Sequence, residues 1–143
     1  SSVWRHVFAS ANLATGQAWL YLDGVADGTV SATTGTADFT KSNHIIGAYF
    51  DGSLKLNADL ADLYINRAAS FDPSNAANLA KFISGGLPVN LGADGSLPSG
   101  TAPIGFFRLV PGDAASTFAT NKGTGGGMTV TGTLTTSSNS PSG

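Results

Sequence analysis

The chain has 143 residues, 41% of them hydrophobic and only 11% charged, with a net charge of −2 and no cysteine. That length suits one compact domain or the end piece of a larger one, and the hydrophobic share is enough for a core. Absence of cysteine removes disulfides, thiolate zinc sites, iron–sulfur clusters and Cys nucleophiles. The seven basic residues stand singly along the chain, whereas phosphate recognition needs them clustered, so no nucleic-acid partner is expected. All nine acids are Asp, and Gly contributes 19 residues. A chain so poor in Glu, Lys and Arg and so rich in Gly, Ser and Thr is ill suited to exposed helix faces, which predicts an all-β fold. The longest apolar stretches, such as residues 45–50, fall far below the ~20 residues of a membrane span. No signal peptide is recognisable. The opening Ser1-Ser2-Val3-Trp4, without Met, leads to the expectation of processing or of a longer parent chain.

In chain order, residues 3–9 mix β-branched and aromatic side chains with polar ones and run into Asn12-Leu13-Ala14-Thr15-Gly16-Gln17, which predicts strand, turn, strand. The second strand, Ala18-Trp19-Leu20-Tyr21-Leu22, places Trp19 and Tyr21 on one face with Leu20 and Leu22 on the other. It ends at Asp23-Gly24, a tight-hairpin dipeptide, and Asp27-Gly28 follows at once. Residues 29–42 read as an edge strand or a loop. Residues 43–50 predict a strand closed by Asp51-Gly52, and residues 56–66 predict the best strand, apolar on both sides and so covered on both faces. Asp72-Pro73 then suits an N-cap and first helical position, and Leu79, Phe82 and Ile83 make an i, i+3, i+4 stripe before Gly85-Gly86. This predicts one short amphipathic helix near 73–84. Residues 87–103 read as loop, 104–110 as a buried strand, 128–134 as a final strand and 135–143 as a Gly/Ser/Thr tail. Phe106 and Phe107 are adjacent and so point to opposite strand faces, which predicts that one of them meets a second layer or a neighbouring subunit.

Several of these pieces together resemble a known family. Trp4-Arg5-His6-Val7, Trp19-Leu20-Tyr21-Leu22-Asp23-Gly24, Ile46-Gly47 and Ala61-Asp62-Leu63-Tyr64-Ile65, followed by Arg67-Ala68 and Ser70-Phe71-Asp72, resemble the latter half of laminin-G-like, concanavalin A-like jelly-roll domains. The resemblance covers about residues 3–72 and implies a β-sandwich. In that family strands precede the W-x-H-V position, which is reached here at Trp4. Either an upstream half completes the sandwich, or another chain supplies it, or the strands are arranged differently. The remainder resembles C-terminal extensions of such domains in tailed-bacteriophage structural proteins. The organisation expected is therefore a half-sandwich over 1–72, a helix with additional strands over 73–134, and a flexible tail over 135–143.

Enzymes of this fold use closely spaced Glu and Asp as nucleophile and acid, and this chain has no Glu. Asp59 and Asp62, three positions apart on a strand, would face opposite sides. His6 and His44 read as hydrogen-bonded strand residues, and no Ser lies in a nucleophile elbow, so no catalytic residue is assigned. The resemblance implies calcium as the most plausible metal, with Asp23, Asp27 and Asp51 as candidates, although Asp-Gly is equally a metal-free turn signature. Trp4, Trp19, Tyr21, Tyr49 and Tyr64 read first as packing residues. Should a glycan site exist, its candidates are Asp23, Asp27, Asn43, Asp51, Trp19 and Tyr21. The function expected is a non-enzymatic virion structural module, a decoration, tail or fibre component, with other virion proteins or copies of itself as partners. The alternative is a carbohydrate-binding module for host glycans, calcium-assisted or not, and hydrolysis survives only if upstream residues supply carboxylates.

Overall fold

The computed structural model describes residues 3–28, 30–38, 40, 44–49, 51–139 and 141. Regular structure is almost entirely β, so the all-β class holds. Strands β1 (Val7–Asn12), β2 (Gln17–Leu22) and β3 (Val25–Ala26) form one antiparallel sheet in that order. Strand β4 (Leu63–Ile65) pairs with a strand near residue 106, and two two-residue strands form a third small ladder. The β1–β2 register sets Phe8 opposite Tyr21, Ser10 opposite Trp19 and Asn12 opposite Gln17. One face of the sheet thus carries the aromatic residues, and the other carries Val7, Ala9, Ala11, Ala18, Leu20 and Leu22, since facing residues share a face. Asp23 and Gly24 make the β2–β3 turn with φ of 52° and 81°. Two positive φ values are what a type I′ hairpin requires, and Asp and Gly are residues that accept them.

Several expectations are corrected. The strand expected over 43–50 is absent from residues 44–49, and Asn43 lies outside the described residues. The chain instead turns tightly here: the Tyr49 amide donates to Ser53, Gly52 to Tyr49 and Leu56 to Gly47. Of the strand expected over 56–66 only β4 remains. Asp62 has φ 49°, a left-handed conformation that an extended run does not accommodate, and no layer covers Leu56 and Leu60. Leu60 is therefore not core, and Asp59 and Asp62 do not sit on opposite faces of one strand.

The helix expected over 73–84 is a single turn, α1 (Ala76–Leu79), capped by Asn75 and not by Asp72. Asp72 accepts from the Ser74 amide and hydroxyl, which fixes a turn before the helix. Gly85-Gly86, read as a helix stop, has φ of 59° and 79° and serves as a hairpin turn instead. It draws Ile83 and Ser84 into β5 (Ile83–Ser84), paired with β6 (Leu87–Pro88). The buried strand expected over 104–110 is present as β7 (Gly105–Phe107), the partner of β4, with Tyr64 opposite Phe106. Phe106 and Phe107 are both buried within the chain, so neither awaits a neighbour. A short 3₁₀ helix, Ala115–Ala119, buries Phe118. Residues 128–134 carry no strand. The Met128 amide donates to Ala119, so the segment starts by following the 3₁₀ helix and not a sheet edge.

The core is aromatic. Phe82 is its hub, with edge-on contacts to Phe8 at 5.0 Å, Phe71 at 5.2 Å and Tyr64 at 5.4 Å between centroids. Phe106, fully buried, extends the cluster through Tyr64, and Leu91 and Tyr21 complete it. Edge-to-face packing of this kind adds to the burial of each ring. The cluster joins the inner face of the β1–β3 sheet to β4, β7 and the segment around α1.

Candidate functional site

The sequence candidates lie on the first sheet and its turns. Asp23 is the most engaged of them. Its Oδ1 accepts the His6 amide at 2.9 Å, its other oxygen pairs with Arg5, and its own amide donates to the His6 carbonyl at 2.8 Å. Arg5, foremost, and the His6 amide hold its carboxyl below the ordinary carboxylate value. His6 is half-buried just ahead of β1, and burial lowers its pKa from 6.5 against the opposing pull of Asp23. Its Nδ1 is buried with no hydrogen-bond partner, which corrects the expectation of a hydrogen-bonded strand histidine. His44 lies outside any strand.

The other candidates do not join Asp23. Asp27 is exposed, with its amide donating to Leu20. Asp51 accepts the Ser53 amide in a separate turn, and hydrogen bonding from Ser53, its side chain foremost and then its amide, lowers the Asp51 pKa. Among the described residues no three acidic or imidazole side chains gather. Asp23, Asp27 and Asp51 are thus not gathered at one point. Trp19 is half-buried, and Tyr21 packs against the aromatic cluster.

Two surface features on the same sheet were not singled out from the sequence. A half-open cleft of about 730 Å³ runs beside β1 between residues 35–37 and 66–71. Tyr64 and Phe71 are among its lining residues, together with the polar Ser10, Asn12, Asn66 and Arg67. The Ser10 hydroxyl oxygen accepts the Phe71 amide at 3.1 Å. On the opposite face a shallow hollow of about 380 Å³ is lined by Ala9, Ala11, Ala18, Leu20 and Val30. The cleft joins residues far apart in the chain, whereas the hollow is built within residues 9–30 and was hinted at by the alternation along β1 and β2.

A buried polar group lies apart from both. Arg108, following β7, is buried, approaches Asp62 at 3.7 Å, donates to Asn90 at 3.2 Å and stacks over Phe106. Its contacts go to the fold, not to an open site. Comparison with family models, with curated proteins and with solved structures finds no match. No helix among the described residues is long and apolar enough to cross a membrane.

Proposed function

We propose that the chain is a non-enzymatic structural module of a virion, a half of a laminin-G-like sandwich whose uncovered β-surface is closed by neighbouring subunits. One observation carries this reading. Large apolar side chains stand in solvent, among them Val7 at 65%, Val25 at 70%, Leu54 at 82% and Leu87 at 62% exposure. Val7 and Val25 belong to the β1–β3 sheet, which on this reading is part of the half-sandwich. Apolar residues left in solvent on a sheet face are where a neighbouring subunit would pack. The resemblance of the later half to extensions in tailed-phage proteins supports placement in a particle. Sedimentation velocity over a concentration series tests it: association that grows with concentration is expected, and a single monomeric species throughout overturns it.

The cleft beside β1 favours a second reading, a carbohydrate-binding module. A concave site lined by aromatic rings and a few polar hydroxyl and amide groups suits a small polar ligand such as a sugar. Binding on a broad glycan panel, lost in Asn66→Ala, supports it, and no binding with or without calcium removes it.

A further inference from the structure

Strand β1 lies at the edge of its sheet, whose order is β1-β2-β3. Two bonds fix which way its backbone points: the Asp23 amide donates to the His6 carbonyl, and the Asp27 amide to the Leu20 carbonyl. Backbone groups alternate along an antiparallel ladder, so Phe8, Ser10 and Asn12 bond inward to β2, while Ala9 and Ala11 turn theirs outward along the edge that borders the cleft. At one end of this edge the Gly35 amide donates to the Leu13 carbonyl at 3.0 Å. That bond is the first rung of a further ladder, and among the described residues nothing continues it over Ala9 and Ala11. Unpaired N–H and C=O groups along an edge are a template for one more strand. The small Ala9, Ala11, Ala37 and Ala68 leave the cleft open to a backbone.

Another segment of the same chain has the matching deficiency. Residues 129–134 alternate Thr with Val130, Gly132 and Leu134, a strand-forming pattern. They are exposed throughout and lie in no strand, and among the described residues their amides and carbonyls make no backbone hydrogen bond. Six residues also match the length of β1. The flanks of the segment are held away from its own cleft. The Met128 amide donates to Ala119, the Ser137 hydroxyl donates to Asp59 at 3.0 Å, and no residue after Phe71 lines the cleft. Filling the cleft from within the chain would break these ties, whereas filling it from another copy keeps them.

We infer that residues 129–134 of one copy add as a further strand to the β1 edge of another, in the cleft between residues 35–37 and 66–71. The inference rests on the structural-module reading and names its contact. Main-chain hydrogen bonds supply the attraction in strand addition of this kind. Reciprocal exchange closes a pair of copies, and one-way exchange continues as a chain of them.

Ala9→Pro deletes an outward N–H from an edge strand, a position where proline is tolerated. Val130→Pro with Thr131→Pro deletes two consecutive N–H groups of the donor, in a segment outside every helix and strand, so folding is preserved; circular dichroism checks both variants. Light scattering after size exclusion is read on the wild type, each variant and their equimolar mixture, with amide hydrogen exchange followed at Ala9 and Ala11. The expected result is an assembling wild type with slowed exchange at both alanines, two monomeric variants, and a mixture that recovers a dimer, since it holds one intact segment and one intact edge. If Ala9→Pro does not fold, the donor variant decides alone, by losing assembly and regaining fast exchange at Ala9 and Ala11. A wild type that assembles while the donor variant assembles equally, or while both alanines exchange fast, overturns the inference and leaves the structural-module reading standing. Folded variants that stay monomeric when mixed overturn the pairing of these two segments. A wild type that is monomeric at every concentration overturns both, and slow exchange at Ala9 and Ala11 in that monomer would place the chain's own segment in the cleft.

Discussion

Individual glycines in the last third of the chain perform different tasks that composition does not distinguish. Asn121 anchors this region: its Oδ1 accepts the Phe106 and Gly123 amides, and its Nδ2 donates to Ile104. The following residues then lie against 103–106, with Lys122, Thr124 and Gly125 amides donating to Phe106, Pro103 and Ile104. Such close approach leaves no room for a side chain. A Cβ at Gly123 would stand 2.3 Å from the Pro103 oxygen, and one at Gly125 would stand 2.6 Å from that of Ile104, whereas one at Gly126 would meet nothing within 4 Å. Gly123→Ala and Gly125→Ala are expected to lower stability by about 1–3 kcal/mol, because backbone must shift to admit the methyl group. Gly126→Ala is expected to be neutral, or to stabilise by up to about 1 kcal/mol through the unfolded chain. Urea denaturation midpoints check the contrast, and equal effects at the three positions would refute it. Nothing in a Gly/Thr run announces which glycine faces a carbonyl, because the contact is tertiary and its partner lies some twenty residues earlier.

At the scale of elements, legibility follows turn chemistry. The β2–β3 hairpin was readable because Asp23-Gly24 can take two positive φ values cheaply. Gly85-Gly86 misled for the same reason, since a glycine pair stops a helix as readily as it turns a hairpin. Residues 56–66 alternate as a strand should, but alternation records side-chain pattern and not the presence of a pairing partner; β7 reaches only Leu63–Ile65. The candidate site was readable in part: Asp23 is a structured residue, but its partners Arg5 and His6 hold a turn, and the cleft beside β1 needs segments that only folding brings together. The hairpin has a pH signature. Burial lowers the His6 pKa from 6.5, so below that value the unfolded chain takes up a proton that the folded chain resists. Its contribution to stability is complete above pH 6.5 and is lost as pH falls through the depressed folded value. Asp23, lowered from 3.8 chiefly by Arg5, acts in the same direction at lower pH. Stability is therefore expected to fall in two stages on acidification, and His6→Gln should remove the upper one. A thermal midpoint that rises between neutrality and mildly acidic pH in the wild type would contradict this.

For the molecule as a whole, the aromatic core and the apolar exterior make a consistent pair. Phe8, Tyr64, Phe71, Phe82 and Phe106 concentrate burial in one cluster, while Val7, Val25, Leu54 and Leu87 stay in solvent. If the structural-module proposal holds, part of the hydrophobic stabilisation of such a chain comes from association, and mass action makes that part measurable. When unfolding is coupled to dissociation, each tenfold rise in protein concentration adds at most about 1.4 kcal/mol to the native side. For a domain of this size that corresponds to a rise in Tm of about 3–6 °C. The wild type is accordingly expected to melt at higher temperature as its concentration increases. Leu54→Asp should flatten the dependence and leave the Tm near the dilute wild-type value, because its site lies outside the aromatic core. Differential scanning fluorimetry across two decades of concentration reads both. A flat wild-type curve would mean that the core stabilises the chain alone and that the exposed apolar residues serve no contact between copies. A slope that persists in Leu54→Asp would locate the contact on a surface that does not include Leu54.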